Sequence, residues 1–181
     1  MIGELEKFVG NRVLGWFLAH PTSGAGINQL ARELGVSAGS IKKYVDIFIR
    51  DGILSKTRIG TLHLISLNND DSIVQEMKRV YMAVVLREAG ISSIAHNAVS
   101  LVVYGSVASG TFDEKSDIDI LVLGEEPDVD YNRVAEIEEK VGHELQVTVI
   151  PYYRWEEMKK QNDAFASGIL ARYIRFQGAE P

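Results

Sequence analysis

The chain has no cysteine in its 181 residues, which excludes a disulfide framework, a thiolate metal site and a cysteine nucleophile together. Any metal it holds must sit on oxygen or imidazole. The four histidines, His20, His63, His96 and His143, share no metal-ligand spacing, so they read as surface or structural residues and oxygen remains. No run approaches the ~18 continuous apolar residues of a membrane span. The first residues also lack the charged, apolar and small-residue succession of a secretory leader. A cytoplasmic location and no membrane partner are expected. Internal repeats and low-complexity tracts are missing too.

What is present is ordinary in bulk and uneven in distribution. A content of 46% hydrophobic and 24% charged residues suits a folded chain that buries a core in one domain or two small ones. The net charge of -6 divides unequally. Residues 1–66 carry eight Lys and Arg against five Asp and Glu, a net of +3, whereas residues 67–181 carry eleven against twenty, a net of -9. Only the first part suits a polyanion. If the acidic part handles phosphates, bound cations must intervene.

Leu5, Phe8, Val9, Val13, Leu14, Phe17 and Leu18 recur at three- and four-residue steps, which predicts an amphipathic helix from Glu4 to His20, closed by Pro21. A short helix over Ile27–Leu34 follows, ended by Gly35. A third is expected near Ala38–Arg50, with Ser37 as its cap and Ile41, Val45, Phe48 and Ile49 as its buried stripe. Lys42, Lys43, Asp46 and Arg50 are left on its other faces. The β-rich stretches 53–57 and 61–67 read as a hairpin about Arg58, Ile59 and Gly60. Asn68, Asn69, Asp70 and Asp71 form the clearest composition break. A helix from about Ser72 to Ala89 then carries a wide apolar face, Ile73, Val74, Met77, Val80, Tyr81, Val84, Val85 and Leu86, as a connector or a dimer surface. Beyond Gly90 the pattern turns to strands at 100–104, 118–123 and 145–150 alternating with helices at 131–141 and 154–173. Trp155, Tyr152 and Tyr153 are expected in packing rather than in base stacking. The expected fold class is therefore α+β in two domains: an N-terminal domain over residues 1–68, a connector helix over 69–90 and a C-terminal α/β domain over 91–181.

The chemistry concentrates between Leu101 and Val122. The apolar run Leu101, Val102, Val103 and Tyr104 leads into Gly105 and Ser106. A glycine lets backbone amides approach an anion, the serine adds a donor, and a following helical turn favours negative charge. Ten residues after Ser106, the stretch Ser116-Asp117-Ile118-Asp119-Ile120 alternates carboxylates with aliphatic residues. On a strand, Asp117 and Asp119 then share one face while Ile118 and Ile120 enter the core. Two neighbouring carboxylates repel unless a cation lies between them, and oxygen-only ligands of this kind suit Mg²⁺ with a bound triphosphate.

From Tyr104 to Val122 the order Gly-Ser, ten residues, Asp-x-Asp resembles the minimal nucleotidyltransferases of the DNA polymerase β superfamily, and the resemblance extends over residues 98–176. It implies a mixed sheet with Gly105 and Ser106 as triphosphate contacts. It also implies Asp117 and Asp119 as catalytic metal ligands for Mg²⁺, with Mn²⁺ as a substitute and ATP as the expected nucleotide. A third carboxylate on a later strand helps activate the attacking hydroxyl in that family. The aligned position here is Gln146, an amide that neither ionises nor acts as a base. Glu144 shares its strand face but lies about 7 Å further along. Some members are antitoxins that modify a helical partner toxin, so a partner protein of that kind is a further implication.

Residues 27–67 resemble the winged helix-turn-helix domains of prokaryotic regulators. The resemblance implies duplex DNA as a partner, with Ser37, Ser40, Lys42 and Lys43 on the reading helix and Lys56 and Arg58 on the wing. Other winged helices serve only in dimer or protein docking, and +3 is a modest footprint. Two expectations stand side by side: an enzyme that moves a nucleoside monophosphate onto an acceptor hydroxyl, and a homodimeric DNA-binding regulator whose second domain senses nucleotide or docks a partner.

Overall fold

The computed structural model describes residues 7–181. Its contacts divide the chain into two units, with the division between Tyr81 and Met82. Secondary structure is α+β in both. None of the described helices is long and apolar enough to cross a membrane.

In the N-terminal unit, α1 runs over Val9–Ala19, α2 over Ile27–Leu34 and α3 over Ala38–Arg50. Of the helix expected from Glu4 to His20, α1 covers Val9–Ala19 and residues 4–6 lie outside the described residues. Phe8 is the extended residue before α1 and is exposed, so its side chain drops out of the helical stripe, and Leu5 lies outside the described residues. Gly35 ends α2 in the left-handed region at φ 60°, which a Cβ would disfavour. The Ser37 hydroxyl accepts from Ser40 N at 3.2 Å and so caps α3. Strand β1 (Leu54–Ile59) pairs antiparallel with β2 (Leu62–Leu67). The turn falls on Gly60 and Thr61, one to two residues later than the sequence pattern suggests, because Gly60 takes the positive φ. Ala25 adds a bridge to Ile65 on the other edge of β2. Val13, Phe17, Leu30, Ile41, Val45, Leu54, Ile65 and Leu67 form the core.

Asp71 caps α4 (Ser72–Ala89) by accepting from Ile73 N and Val74 N at 2.9 and 3.1 Å. Its apolar face is divided. Val74, Met77 and Tyr81 belong to the N-terminal core, Met82, Val85 and Leu86 to the C-terminal core, and Ile73 and Val80 stay exposed.

The C-terminal unit is built on a four-stranded mixed sheet, order β5-β4-β3-β6. Strands β3 (Ser100–Val103) and β4 (Ile118–Leu123) are antiparallel, joined through α5 (Gly105–Ser109). Strand β5 (Leu145–Ile150) is parallel to β4, so its connection crosses over through α6 (Tyr131–Val141). Two further corrections concern the end of the chain. The helix expected over 154–173 is two helices, α7 (Tyr152–Lys160) and α8 (Ala164–Ala171). Asn162 interrupts them with φ 51°, and the Asp163 side chain caps α8. Strand β6 (Ile174–Gly178), absent from the sequence pattern, pairs antiparallel with β3. Ile118, Ile120 and Val122 face one core with α6, while Leu121, Leu123 and Ile150 face another with Trp155, Ala166 and Ile169 of α7 and α8. Trp155 is buried, but Tyr152 and Tyr153 are exposed, because one turn of α7 can present only part of its circumference to the sheet.

Candidate functional site

The alternation of β4 leaves one polar residue on the face of Leu121 and Leu123, and that residue is Asp119. Asp117 stands two residues earlier, before the strand begins, and is exposed. Between them Ile118 is fully buried on the opposite face.

Gly105 meets this pair directly. It opens α5 at φ +66°, and a Cβ at that position would overlap Asp119 Oδ2 and stand 3.1 Å from Asp119 Cγ. Only glycine lets the turn lie against the carboxylate. The backbone fixes the same relation, since Tyr104 N donates to Asp119 O at 2.9 Å. Thr111 N donates to Ser106 O at 3.0 Å, and the Ser109 hydroxyl donates to Gly105 O at 3.0 Å. From α8's C-terminal end, Arg172 Nε donates to Ala108 O at 2.9 Å. The turn is therefore held at both ends.

Asp119 is half-buried, and burial holds its carboxyl above the ordinary aspartate value, with the charge of Asp117 pushing the same way. The pair is thus short of positive charge. Oxygen donors next to each other, beside a turn in which a side chain would fill the available space, fit a hard divalent cation carrying an anionic ligand. Asp117 and Asp119 are the residues that could hold it. Among the described residues, no three His, Cys, Asp or Glu side chains gather as a metal-holding group.

Asp119 pairs with Gln146 across the parallel β4–β5 ladder, so the amide occupies the neighbouring place on the site's face. Gln146 Nε2 donates to Glu144 Oε1 at 2.7 Å. Glu144 is exposed and is bonded to the amide. Thr148, next along this face, lies 3.4 Å from the Tyr104 hydroxyl. Tyr104 meets Phe165 of α8 edge to face, with ring centroids 5.7 Å apart. These aromatic and hydroxyl neighbours escaped sequence reasoning because they come from three separate places in the chain, the β3–α5 junction, β5 and α8. Only the position of Tyr104 before Gly105 hinted at one of them.

The N-terminal candidates lie on α3 and β1. Ser37 and Ser40 are joined in the α3 cap, their hydroxyls 3.0 Å apart. Lys42 is exposed and pairs with Asp46 at 2.5 Å, a contact of small energetic weight at this exposure. Lys43 lies over the Tyr44 ring, 5.7 Å from its centroid. Lys56 and Arg58 are exposed on one face of β1, and Arg58 Nε donates to Gly60 O at 2.9 Å.

Residues 91–172 match the family model of the nucleotidyltransferase domain, a stretch that contains Gly105, Ser106, Asp117, Asp119 and Gln146. No curated protein and no solved structure matches the chain.

Proposed function

We propose that the C-terminal unit binds a Mg²⁺-nucleoside triphosphate, ATP in the first instance, and transfers its nucleoside monophosphate to an acceptor hydroxyl. The family match supports a general nucleotidyltransferase function. The observation that carries the finer reading is the Gly105 turn lying on the Asp119 carboxylate, which joins a phosphate-cradling element to a cation-holding pair. In this reading Asp117 and Asp119 hold the cation, Gly105 lets the turn's amides reach the triphosphate, and Ser106 donates its hydroxyl. Bound Mg²⁺ supplies charge neutralisation on the phosphoryl oxygens. The acceptor oxygen bonds to the α-phosphorus, pyrophosphate leaves, and the acceptor proton must find a base. Gln146 cannot take it. In this reading the acceptor hydroxyl lies on a partner protein of the toxin kind.

The N-terminal unit is proposed as a winged helix-turn-helix that binds duplex DNA through Ser37, Ser40, Lys42 and Lys43 on α3 and through Lys56 and Arg58 on the hairpin. A second reading follows from Gln146, which stands in register with Asp119 and is bonded to Glu144. There the chain is a homodimeric DNA-binding regulator whose C-terminal unit senses nucleotide and turns over slowly or not at all.

A transfer assay with α-labelled ATP and Mg²⁺ separates the two. A base near its working pKa is worth about 10²- to 10⁴-fold, so Gln146→Asp should raise a slow wild-type rate by a substantial part of that. Robust wild-type transfer that survives Gln146→Ala and is lost in Glu144→Ala would assign the base to Glu144 instead. Nucleotide binding without transfer in either wild type or Gln146→Asp selects the sensor.

A further inference from the structure

The two aspartates are held by different means. Asp119 is inside a strand and pressed against Gly105. Asp117 is exposed and precedes β4, where the ladder has not begun. Its Cα lies between two peptide units, and each of them is bonded to the entry of β5. On the C-terminal side, Ile118 N donates to Glu144 O at 2.8 Å, an ordinary strand contact that any residue at 144 would supply. On the N-terminal side, the Ser116 carbonyl lies 2.8 Å from His143 Nδ1. A carbonyl only accepts, so Nδ1 carries the proton and donates. This second bond comes from a side chain and depends on the residue at 143.

The rest of the loop ends where His143 begins. Asp113 N donates to Ser116 Oγ at 2.9 Å, and that hydroxyl donates to Asp113 Oδ1 at 3.0 Å. Lys115 N donates to the same oxygen at 2.9 Å, and together these bonds hold the Asp113 carboxyl below its ordinary value, the Lys115 amide foremost. The loop is closed on itself through the Ser116 side chain, and the imidazole fastens its carbonyl to the sheet. With both flanking peptide planes fixed, the Cα–Cβ direction of Asp117 is fixed too. We propose that His143 is a positioning residue for Asp117, aiming its carboxylate beside that of Asp119 for the divalent cation, a claim that rests on the nucleotide-binding reading above.

The test is a calorimetric titration of the full chain with Mn²⁺ and a non-hydrolysable ATP analogue. Groups that orient a metal ligand are commonly worth about 10- to 100-fold in metal affinity, so His143→Ala should weaken binding within that range. His143→Asn should restore most of it, because the asparagine Nδ2–H reaches the place of the imidazole Nδ1–H. Unchanged affinity in His143→Ala, with binding abolished in Asp117→Ala, overturns the positioning role and leaves the site intact. Equal weakening in His143→Ala and His143→Asn, accompanied by equal loss of melting temperature, also overturns it, since that pattern marks a purely structural residue. Failure of wild type to bind removes the nucleotide-binding reading itself and this proposal with it.

Discussion

Gly105 and Asp119 constrain each other through one contact, and each can be tested alone. At Gly105 the positive φ and the adjacent carboxylate act together. A left-handed non-glycine residue costs about 1–2 kcal/mol, and the Asp119 carboxylate would also have to move. Gly105→Ala should therefore abolish nucleotide binding and lower the melting temperature by about 4–16 °C while leaving a cooperative melt, a separation that binding assays and thermal melts on one variant would reveal. Asp119 carries a stability cost at neutral pH. Its native pKa is raised, so the fold binds its proton more tightly than the unfolded chain does. That contribution is fully present below the ordinary aspartate pKa and is lost as pH rises through the raised one. Without nucleotide, Asp119→Asn should raise the melting temperature at neutral pH, with the gain vanishing in acid. A gain that persists in acid would assign it to another cause. Gln146, expected on a later strand, stands in register with Asp119 across the parallel ladder. His143 and Arg172 were not legible, since each acts on a backbone carbonyl at a distance in sequence that no local pattern encodes.

Among elements, those with strong periodicity or sharp punctuation were the readable ones. Helices α2, α3, α4 and α6 and strands β4 and β5 follow directly from apolar spacing and flanking turn residues. The break between α7 and α8 was hidden because Trp155, Met158, Phe165 and Ile169 keep helical spacing on either side of the polar stretch 159–163, in which Asn162 and the Asp163 cap mark it. Strand β6 was hidden because it is five residues long and lies at a sheet edge with an alternation of partly covered residues, which sequence patterns read as helix tail or coil. For the N-terminal elements the expectation is quantitative. If α3 and the hairpin contact DNA phosphates, each lysine or arginine removed should reduce the slope of log affinity against log salt by about one unit. Lys42→Ala/Lys43→Ala and Lys56→Ala/Arg58→Ala test the helix and the hairpin separately in gel shifts at several salt concentrations. An unchanged slope in both would assign this unit to docking.

Across the whole chain, the opposition of charge between the two parts, +3 over residues 1–66 and -9 over residues 67–181, matches the division of labour proposed for them. In that proposal a basic part meets a polyanion directly, and an acidic part meets a phosphate through a cation. The division into units by contact lies within α4, whereas the composition break lies before that helix at Asn68–Asp71. The difference arises because one continuous helix supplies apolar residues to both cores, which composition cannot show. If Asp117, Asp119, Gly105 and Ser106 form a Mg²⁺-nucleotide site, calorimetry of the full chain with ATP and Mg²⁺ detects it. Wild type should bind and Asp117→Ala/Asp119→Ala should not; equal affinity in the two proteins, or binding by neither, would contradict it.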